Sequence, residues 1–284
     1  MGNKIQVREI ECKTAIGKCG FPGGGWAINP YIGCGHNCLY CYGRFIKRFT
    51  QHLEPWGYFV DARINIAQVL KKQIKSPKFK SGQIYLGTVT DPYQPLEEKY
   101  KLSRQILEVL KDYPVSLSIL TKSDLILRDL DLLKQFKNLD VNFTINSLDE
   151  KWKSCVEPES TSVEKRLEAA KKLSEEGIKV FAMMGPYFPN FTDPEKLFSE
   201  FKKAGISSVF TESFNTTGGN FTQVEEVLAK HYPSFLPTFA EILFNSKKFN
   251  EFYESERKKI LSLSKKYNLP VTINFGQGHA ARVI

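Results

Sequence analysis

Three cysteines lie on one short stretch of the chain at the spacing C-x3-C-x2-C: Cys34, Cys38 and Cys41. Thiolates separated by two and three residues can bind one soft-metal centre together. A structural zinc site or a ferredoxin-type cluster takes four protein ligands, so three cysteines favour an iron–sulfur cluster with one iron open to an outside ligand. The alternatives are a zinc site completed by His36 or by a distant cysteine, and unrelated buried thiols.

The cysteine loop begins with the lead-in Asn-Pro-Tyr-Ile-Gly at residues 29–33 and continues to 44. Five later segments accompany it, at 90–97, 121–123, 128–129, 157–158 and 166–167. Together these segments resemble the radical S-adenosylmethionine (SAM) superfamily, in its branch related to spore photoproduct lyase, which is often called DNA-repair-photolyase-like. The resemblance covers most of the chain between residues 26 and 215. It implies a [4Fe-4S] cluster held by Cys34, Cys38 and Cys41, with SAM as the second cofactor.

The resemblance also implies how SAM is held and used. Its amino and carboxylate groups would chelate the open iron, and its reductive cleavage would give methionine and a 5′-deoxyadenosyl radical that abstracts hydrogen from a substrate. Lys122 follows a predicted buried strand and can pair with the SAM carboxylate as a point charge, although it could also be a surface lysine. Thr90 and Asp91 can accept from the SAM ammonium, or they can form a turn, since Asp-Pro commonly starts one.

Other side chains of the motifs are candidates for the nucleoside and the radical. Asn146 and Ser147 can hydrogen-bond the ribose. Tyr40 matches the aromatic residue that the family places beside the adenine, or it packs the loop. Tyr42 and Tyr93 are candidate catalytic residues, by analogy with tyrosines implicated in radical relay in spore photoproduct lyase; the alternative is that they line a pocket.

The chain departs from spore photoproduct lyase in its cysteines. That enzyme uses a cysteine hydrogen donor reached from the region after the cluster loop, whereas no cysteine occurs here between residues 41 and 155. The fold and cofactor therefore transfer more safely than the substrate. Cys12 and Cys19 lack paired spacing and are expected to be free thiols, and the role of Cys155 is open. His36 and His279 are candidate proton donors or simply polar loop residues.

Strand and helix patterns alternate along the chain, which predicts an α/β fold with parallel strands. The resemblance implies a partial, open (β/α)6 barrel with outer helices, preceded by an N-terminal extension at 1–27; the barrel domain is 28–284. Strands are predicted at 27–31, 83–89, 115–120, 141–145, 179–184, 206–210 and 271–275. Helices are predicted at 62–75, 103–111, 125–136, 162–176, 193–204, 223–230, 238–245 and 249–267.

The chemically interesting residues all follow predicted strands. In a parallel barrel the functional loops follow the carboxyl ends of the strands, so these side chains should meet at one mouth. The cysteine loop follows the first strand and 90–94 the second. Lys122, Asn146 with Ser147, Gly185 with Pro186, the segment 212–215 and the segment 276–279 follow the later ones.

The chain has 284 residues and a formal net charge of +9. A basic surface attracts nucleic acid, yet most lysines alternate with glutamates on predicted helices, as on solvated faces. The first residues are polar and no apolar run reaches membrane-spanning length, so we expect a cytoplasmic protein without a membrane partner. The expected partners are an electron donor such as flavodoxin or ferredoxin and possible DNA or RNA. The first substrate hypothesis is a nucleic-acid base, and a peptide or a small metabolite is the second. The rival from another functional class is a non-catalytic metal-bound nucleic-acid-binding module.

Overall fold

The computed structural model describes residues 5–21, 23–76, 79, 82–216 and 219–276. The described strands are β1 (Gln6–Ile10), β2 (Ile16–Lys18), β3 (Trp26–Ile28), β4 (Tyr31–Gly33), β5 (Phe59–Arg63), β6 (Gln83–Leu86), β7 (Ser116–Thr121), β8 (Asn138–Thr144), β9 (Lys179–Met183), β10 (Ser208–Glu212) and β11 (Val271–Asn274). The described helices are α1 (Ile66–Ile74), α2 (Glu97–Tyr100), α3 (Leu102–Leu110), α4 (Leu130–Leu133), α5 (Glu150–Val156), α6 (Val163–Glu175), α7 (Pro194–Lys203), α8 (Asn220–His231), α9 (Leu236–Phe244) and α10 (Ser246–Tyr267), with 3-10 helices at Tyr42–Phe49 and Asp124–Asp129.

The larger sheet has the strand order β11-β10-β9-β8-β7-β6-β3-β2. Its strands are parallel from β3 to β11, and β2 pairs antiparallel with β3. In the described residues β2 and β11 do not pair with each other, so the sheet is open. The predicted α/β fold with parallel strands and intervening helices is confirmed, and a closed barrel is not formed.

The register places the carboxyl ends of the parallel strands at one edge of this sheet. Ile28 of β3 pairs with Leu86 of β6, which in turn pairs with Ile119 of β7. The segments that follow these strands therefore leave the sheet on the same side, where functional loops gather in parallel α/β folds.

A second, three-stranded sheet was not predicted. Its order is β1-β5-β4, with β5 parallel to β1 and antiparallel to β4. The strand predicted at 27–31 is therefore wrong in one respect: it divides at Asn29 and Pro30 into β3 and β4, which belong to different sheets. The start of the helix predicted at 62 is also wrong, because Ala62 lies in β5 and α1 begins only at Ile66.

Most other predicted elements are present with ends shifted by one to three residues, because their start and stop signals are local. The Ser162 side chain accepts from Lys165 N–H at the start of α6, and Asp193 does the same for Glu195 and Lys196 N–H at the start of α7. The helix predicted at 125–136 is a 3-10 turn followed by α4, and α5 was missed. The boundary at residue 27 stays a prediction, although β1 and β2 before it pair with β5 and β3.

Helices and strands enclose one large apolar core. Strand residues such as Ile84, Leu117, Val141 and Ala182 are fully or almost fully buried between the sheet and its helices. No helix among the described residues is both long enough and apolar enough to cross a membrane.

Candidate functional site

The cysteine loop begins directly after β4, at the glycine that ends that strand. Gly33 has φ +84°, and a Cβ at this position would lie 2.3 Å from the Phe59 carbonyl oxygen, so only glycine fits there. Two tight turns then follow, with Asn37 N–H donating to Cys34 O at 3.4 Å and Cys41 N–H donating to Cys38 O at 3.2 Å. These turns curl the loop so that its three thiols share one neighbourhood.

The thiols of the loop are free and shielded from water. Cys34 and Cys38 are buried and Cys41 is partly buried. Burial raises the pKa of Cys38 well above its usual value, and burial followed by the negative charge of Cys34 raises the pKa of Cys41 to about 11. The nearby Lys122 ammonium opposes both shifts. The three thiols interact with one another and would ionise more readily beside a positive charge. A cationic iron–sulfur centre would supply that charge.

A single metal ion fits this arrangement less well. Among the described residues, no three His, Cys, Asp or Glu side chains are grouped so that they could hold one ion. His36, the alternative fourth zinc ligand, has Nδ1 3.2 Å from Asp91 Oδ2 and also interacts with Cys34. The cysteines of a four-iron cluster each bind a different iron, so their sulfurs lie farther apart than the ligands of a zinc ion.

Gln94, which follows β6, fastens the first half of the loop. Its Oε1 accepts from Gly35 N–H at 2.7 Å, and its Nε2 donates to Thr90 Oγ1 at 3.0 Å and approaches Gly33 O at 3.4 Å. Thr90 Oγ1 in turn donates to Gly33 O at 2.6 Å. Gln94 is fully buried. The sequence alone gives no sign of this role, because a glutamine carries no signal of a partner 59 residues away.

Asp91 is surrounded by hydrogen-bond donors. Oδ1 accepts from Tyr93 N–H at 2.9 Å and from Thr121 Oγ1 at 2.8 Å, while Oδ2 accepts from Lys122 N–H at 2.7 Å and faces His36. Burial alone would raise the pKa of Asp91, but the positive charge of His36 and these hydrogen bonds bring it below its usual value. The carboxylate therefore joins the cysteine loop to the ends of β6 and β7.

Glu157, after α5, fastens the second half of the loop. It accepts from the Tyr40 hydroxyl and pairs with Arg166, and both side chains of the pair are about 1% exposed. Glu157 and Arg166 therefore form a buried ion pair. Burial would raise the pKa of Glu157, but Arg166 and Lys122 lower it to about 2. Leu39 N–H also donates to Val156 O at 2.9 Å, so backbone and side chains hold the loop on this side.

Lys122 lies at the centre of these groups. Its Nζ is 5.7 Å from the centre of the Tyr40 ring and 3.4 Å from Thr144 Oγ1. Burial lowers its pKa, but the negative charges of Cys38, Glu157, Cys41 and Asp91 raise it above the usual value. Its ammonium is therefore charged at neutral pH and faces the thiols.

Glu212, the last residue of β10, is a site residue that sequence analysis placed only within a loop. Burial raises its pKa to about 7, and the charge of Lys122 opposes that rise. A Cβ on Gly185 would lie 3.0 Å from Glu212 Cγ, so the glycine after β9 makes room for this side chain. A carboxyl group whose pKa is about 7 therefore lies near Lys122.

Asn146 and Ser147, both buried after β8, differ in their surroundings. Asn146 Nδ2 is 3.4 Å from the Tyr40 hydroxyl oxygen and 3.4 Å from Gly185 O, so it borders the site. Ser147 Oγ donates to Phe191 O at 2.7 Å and accepts from Asp149 N–H at 3.2 Å. Its hydroxyl closes the turn before α5.

The two candidate radical tyrosines lie in contrasting environments. Tyr42 is 41% exposed, and its hydroxyl donates to Thr88 O. Tyr93 is fully buried, with the Arg128 guanidinium 6.0 Å from its ring centre. Their catalytic roles stay predictions. Cys12, Cys19 and Cys155 are partly buried free thiols outside the loop, and His279 lies outside the described residues.

A match to a known protein family identifies the superfamily of the chain. Residues 28–201 match the radical SAM superfamily. The chain belongs to the radical SAM superfamily. The matched residues include the cysteine loop, Lys122 and strands β6 to β9.

Relatives of the chain occur in archaea, in an archaeal virus and in mycobacteria. An uncharacterized protein of Methanocaldococcus jannaschii is 36% identical over 89% of this chain and 93% of its own length. A protein of Acidianus two-tailed virus is 35% identical over 72% of each chain. A protein of Mycobacterium bovis is 27% identical over 93% of this chain and 82% of its own length.

Solved structures with the same fold include spore photoproduct lyase and SuiB. Spore photoproduct lyase complexed with dinucleoside spore photoproduct has a TM-score of 0.69 at 16% identity, covering 94% of this chain and 82% of the lyase. A mutant of that lyase with bound AdoMet and the same dinucleoside has a TM-score of 0.67 at 17% identity, covering 93% and 80%. Streptococcus suis SuiB bound to its precursor peptide SuiA has a TM-score of 0.52 at 15% identity, covering 88% and 48%. At these identities the likeness shows the fold alone.

Proposed function

We propose that this radical SAM protein is an enzyme that reductively cleaves SAM at a site-differentiated [4Fe-4S] cluster. Cys34, Cys38 and Cys41 would hold three irons and leave the fourth for SAM. When bound, the cluster and SAM would supply a 5′-deoxyadenosyl radical that abstracts hydrogen from a substrate. The observation that carries the proposal is one buried loop of three free thiols facing the charged Lys122.

The side chains around the loop divide into those that would bind SAM and those that position them. Lys122 would pair with the SAM carboxylate, since its ammonium acts on both Cys38 and Cys41 and lies near the Tyr40 ring. The Tyr40 ring would contact the adenine, and Asn146 at its edge would hydrogen-bond the ribose. Thr90, Asp91 and Ser147 have their polar atoms engaged within the chain, so we assign them to positioning.

Aromatic side chains would keep water away from the reaction. Trp56 and Phe59 pack against Cys34, and the Phe188 ring meets the Tyr40 ring edge-on at 5.3 Å. A reactive radical needs a dry site, because water and solvent-exposed groups open side reactions. The open sheet would correspond to the partial (β/α)6 barrel of the family, and the site would lie at its mouth. The enzyme would be cytoplasmic.

We propose a nucleic-acid base as the first substrate class. Two observations support this choice: the net charge of +9, and a shared fold with spore photoproduct lyase, whose structures hold a dinucleoside photoproduct. A peptide or a small metabolite is the second candidate, and the fold shared with SuiB, solved with a precursor peptide, supports the peptide. A non-catalytic metal-bound nucleic-acid-binding module is the remaining rival.

Label transfer tests the substrate class directly. The reconstituted protein would be incubated with SAM, a reductant and deuterated candidates, first oligonucleotides and then peptides, and deuterium would be read in 5′-deoxyadenosine. We expect label from a nucleic acid, together with an affinity for DNA or RNA that falls as salt rises. Label only from a peptide or metabolite, without measurable nucleic-acid binding at low salt, would overturn the substrate assignment.

A further inference from the structure

The segment that follows the cysteine loop presents large apolar side chains to solvent. Phe49, at the end of the 3-10 helix Tyr42–Phe49, is 70% exposed, and Leu53 is 92% exposed. The Arg48 guanidinium lies over the Phe49 ring, 4.7 Å from its centre. Lys47 Nζ donates to Leu53 O at 3.0 Å and holds Leu53 beside the helix. Two exposed apolar side chains on one short segment, each with a cation beside it, have the composition of a small protein–protein contact.

The fold holds this surface in place. His52, the neighbour of Leu53, is buried, with Nε2 2.8 Å from Asp61 Oδ1 and Nδ1 3.0 Å from Glu54 Oε2. Asp61 belongs to β5. The backbone at Leu53 is therefore held beside an imidazole that is paired through both of its ring nitrogens. An apolar group that is already held in place binds a partner with little loss of entropy.

The same anchor connects the surface to the cysteine loop. The His52 ring stacks on the Phe59 ring, with centres 4.2 Å apart and planes 20° apart. Phe59 packs in turn against Cys34. One continuous series of contacts thus leads from Leu53 through His52 and Phe59 to a cluster ligand. Electron transfer falls steeply with distance, so a redox centre docked here would lie on a short route to the cluster.

The charge of the surface indicates the kind of partner. Within the described part of the chain, Lys47 and Arg48 have no carboxylate within ion-pair distance, so both can attract an acidic partner. Two cations around an apolar centre suit a weak, steered protein contact. A nucleic acid would favour a longer run of cations along a groove.

We propose that Arg48, Phe49 and Leu53, the entry surface, dock a small acidic electron-transfer protein of the flavodoxin type. One electron would leave the docked protein, which is oxidised, and enter the cluster held by the loop, which is reduced. The proposal rests on the proposed function, because an electron is needed at this loop only if SAM is cleaved reductively there.

Binding of flavodoxin to the cluster-free chain provides a test that does not depend on turnover. The variants are Arg48→Glu and the pair Phe49→Asp with Leu53→Asp; the matched controls are Lys258→Glu and Leu261→Asp, which change exposed residues of α10. We expect the Kd of the parent to increase as salt rises. Each entry-surface variant should increase the Kd by at least about tenfold, and the controls should leave it unchanged. Equal binding by parent and variants would overturn the proposal.

Turnover of the reconstituted protein then separates the two proposals. With flavodoxin as reductant, the variants should form 5′-deoxyadenosine at least about tenfold more slowly than the parent, and with dithionite they should match it. The docking proposal alone would be overturned if the variants lost as much turnover with dithionite as with flavodoxin. It would also be overturned if they kept turnover with flavodoxin but lost oligonucleotide binding. A parent chain that fails to cleave SAM with dithionite would overturn the proposed function and the docking proposal with it.

Discussion

The Tyr40 hydroxyl donates to Glu157, a carboxylate 117 residues farther along the chain that is also paired with Arg166. Tyr40 lies between two of the loop cysteines, so this contact ties the loop to the connection between α5 and α6. The buried ion pair thus supports the site without having to touch a cofactor.

Removing the charge of Glu157 should destabilise the fold strongly. In Glu157→Gln, Arg166 remains buried without a counter-ion, and we expect a loss of about 3–5 kcal/mol in the free energy of unfolding, measured by urea titration of the cluster-free protein. Replacing Arg166 by Met in the same variant should recover part of the loss. Glu176→Gln, which breaks the exposed pair with Lys134, is the control and should change little. A Glu157 variant as stable as this control would contradict the account.

Removing the charge of Glu212 should stabilise the protein, and only at higher pH. Its pKa is about 7 in the folded chain and lower in the unfolded chain, so rising pH ionises the unfolded state first and destabilises the fold. Glu212→Gln should match the parent near pH 4 and exceed it by up to about 3 kcal/mol near pH 8. Urea titrations across that range, with exposed Glu226→Gln as control, measure the difference. A difference that does not grow with pH would refute the burial argument.

Gln94 should matter for the loop more than its uncharged amide suggests. Gln94→Leu leaves Gly35 N–H without its buried acceptor, while Gly33 O keeps its bond from Thr90, so we expect a loss of about 1–3 kcal/mol in unfolding free energy and lower iron content after reconstitution. Gln135→Leu, which alters an exposed glutamine just after α4, is the control. Full iron loading and unchanged stability in Gln94→Leu would show that the loop does not depend on this clamp.

Lys122 should control SAM affinity. Lys122→Met removes the cation that would pair with the SAM carboxylate, so we expect SAM binding to the reconstituted protein to weaken at least about tenfold. Lys137→Met, an exposed lysine elsewhere, should bind SAM like the parent. Iron content measured on the same samples separates loss of SAM from loss of the cluster. Parent-like SAM affinity in a fully loaded Lys122→Met would remove this lysine from the SAM site.

The sequence predicts those parts of the fold whose signals are local. The caps Ser162 and Asp193 and the three cysteines are read from a few neighbouring residues. Strand β5 was missed because its pairing with β1 and β4 lies outside any short window, and Ala62 continues smoothly into the apolar pattern of α1. Gln94 holds Gly35, 59 residues away, and Glu157 holds Tyr40, 117 residues away, so neither contact can be read from a short window. The burial of Tyr93 and the exposure of Tyr42 likewise depend on packing that composition does not reveal.

Anaerobic reconstitution with iron and sulfide, followed by measurement of 5′-deoxyadenosine from SAM and a reductant, tests the central claim most directly. The parent chain should bind about four irons and about four sulfides and release 5′-deoxyadenosine. Cys34→Ser, Cys38→Ala and Cys41→Ser should abolish that release, whereas Cys12→Ser, Cys19→Ser and Cys155→Ser should keep the cluster. Zinc bound without sulfide and no cleavage of SAM by the parent, or parent-like cleavage by Cys38→Ala, would contradict the account.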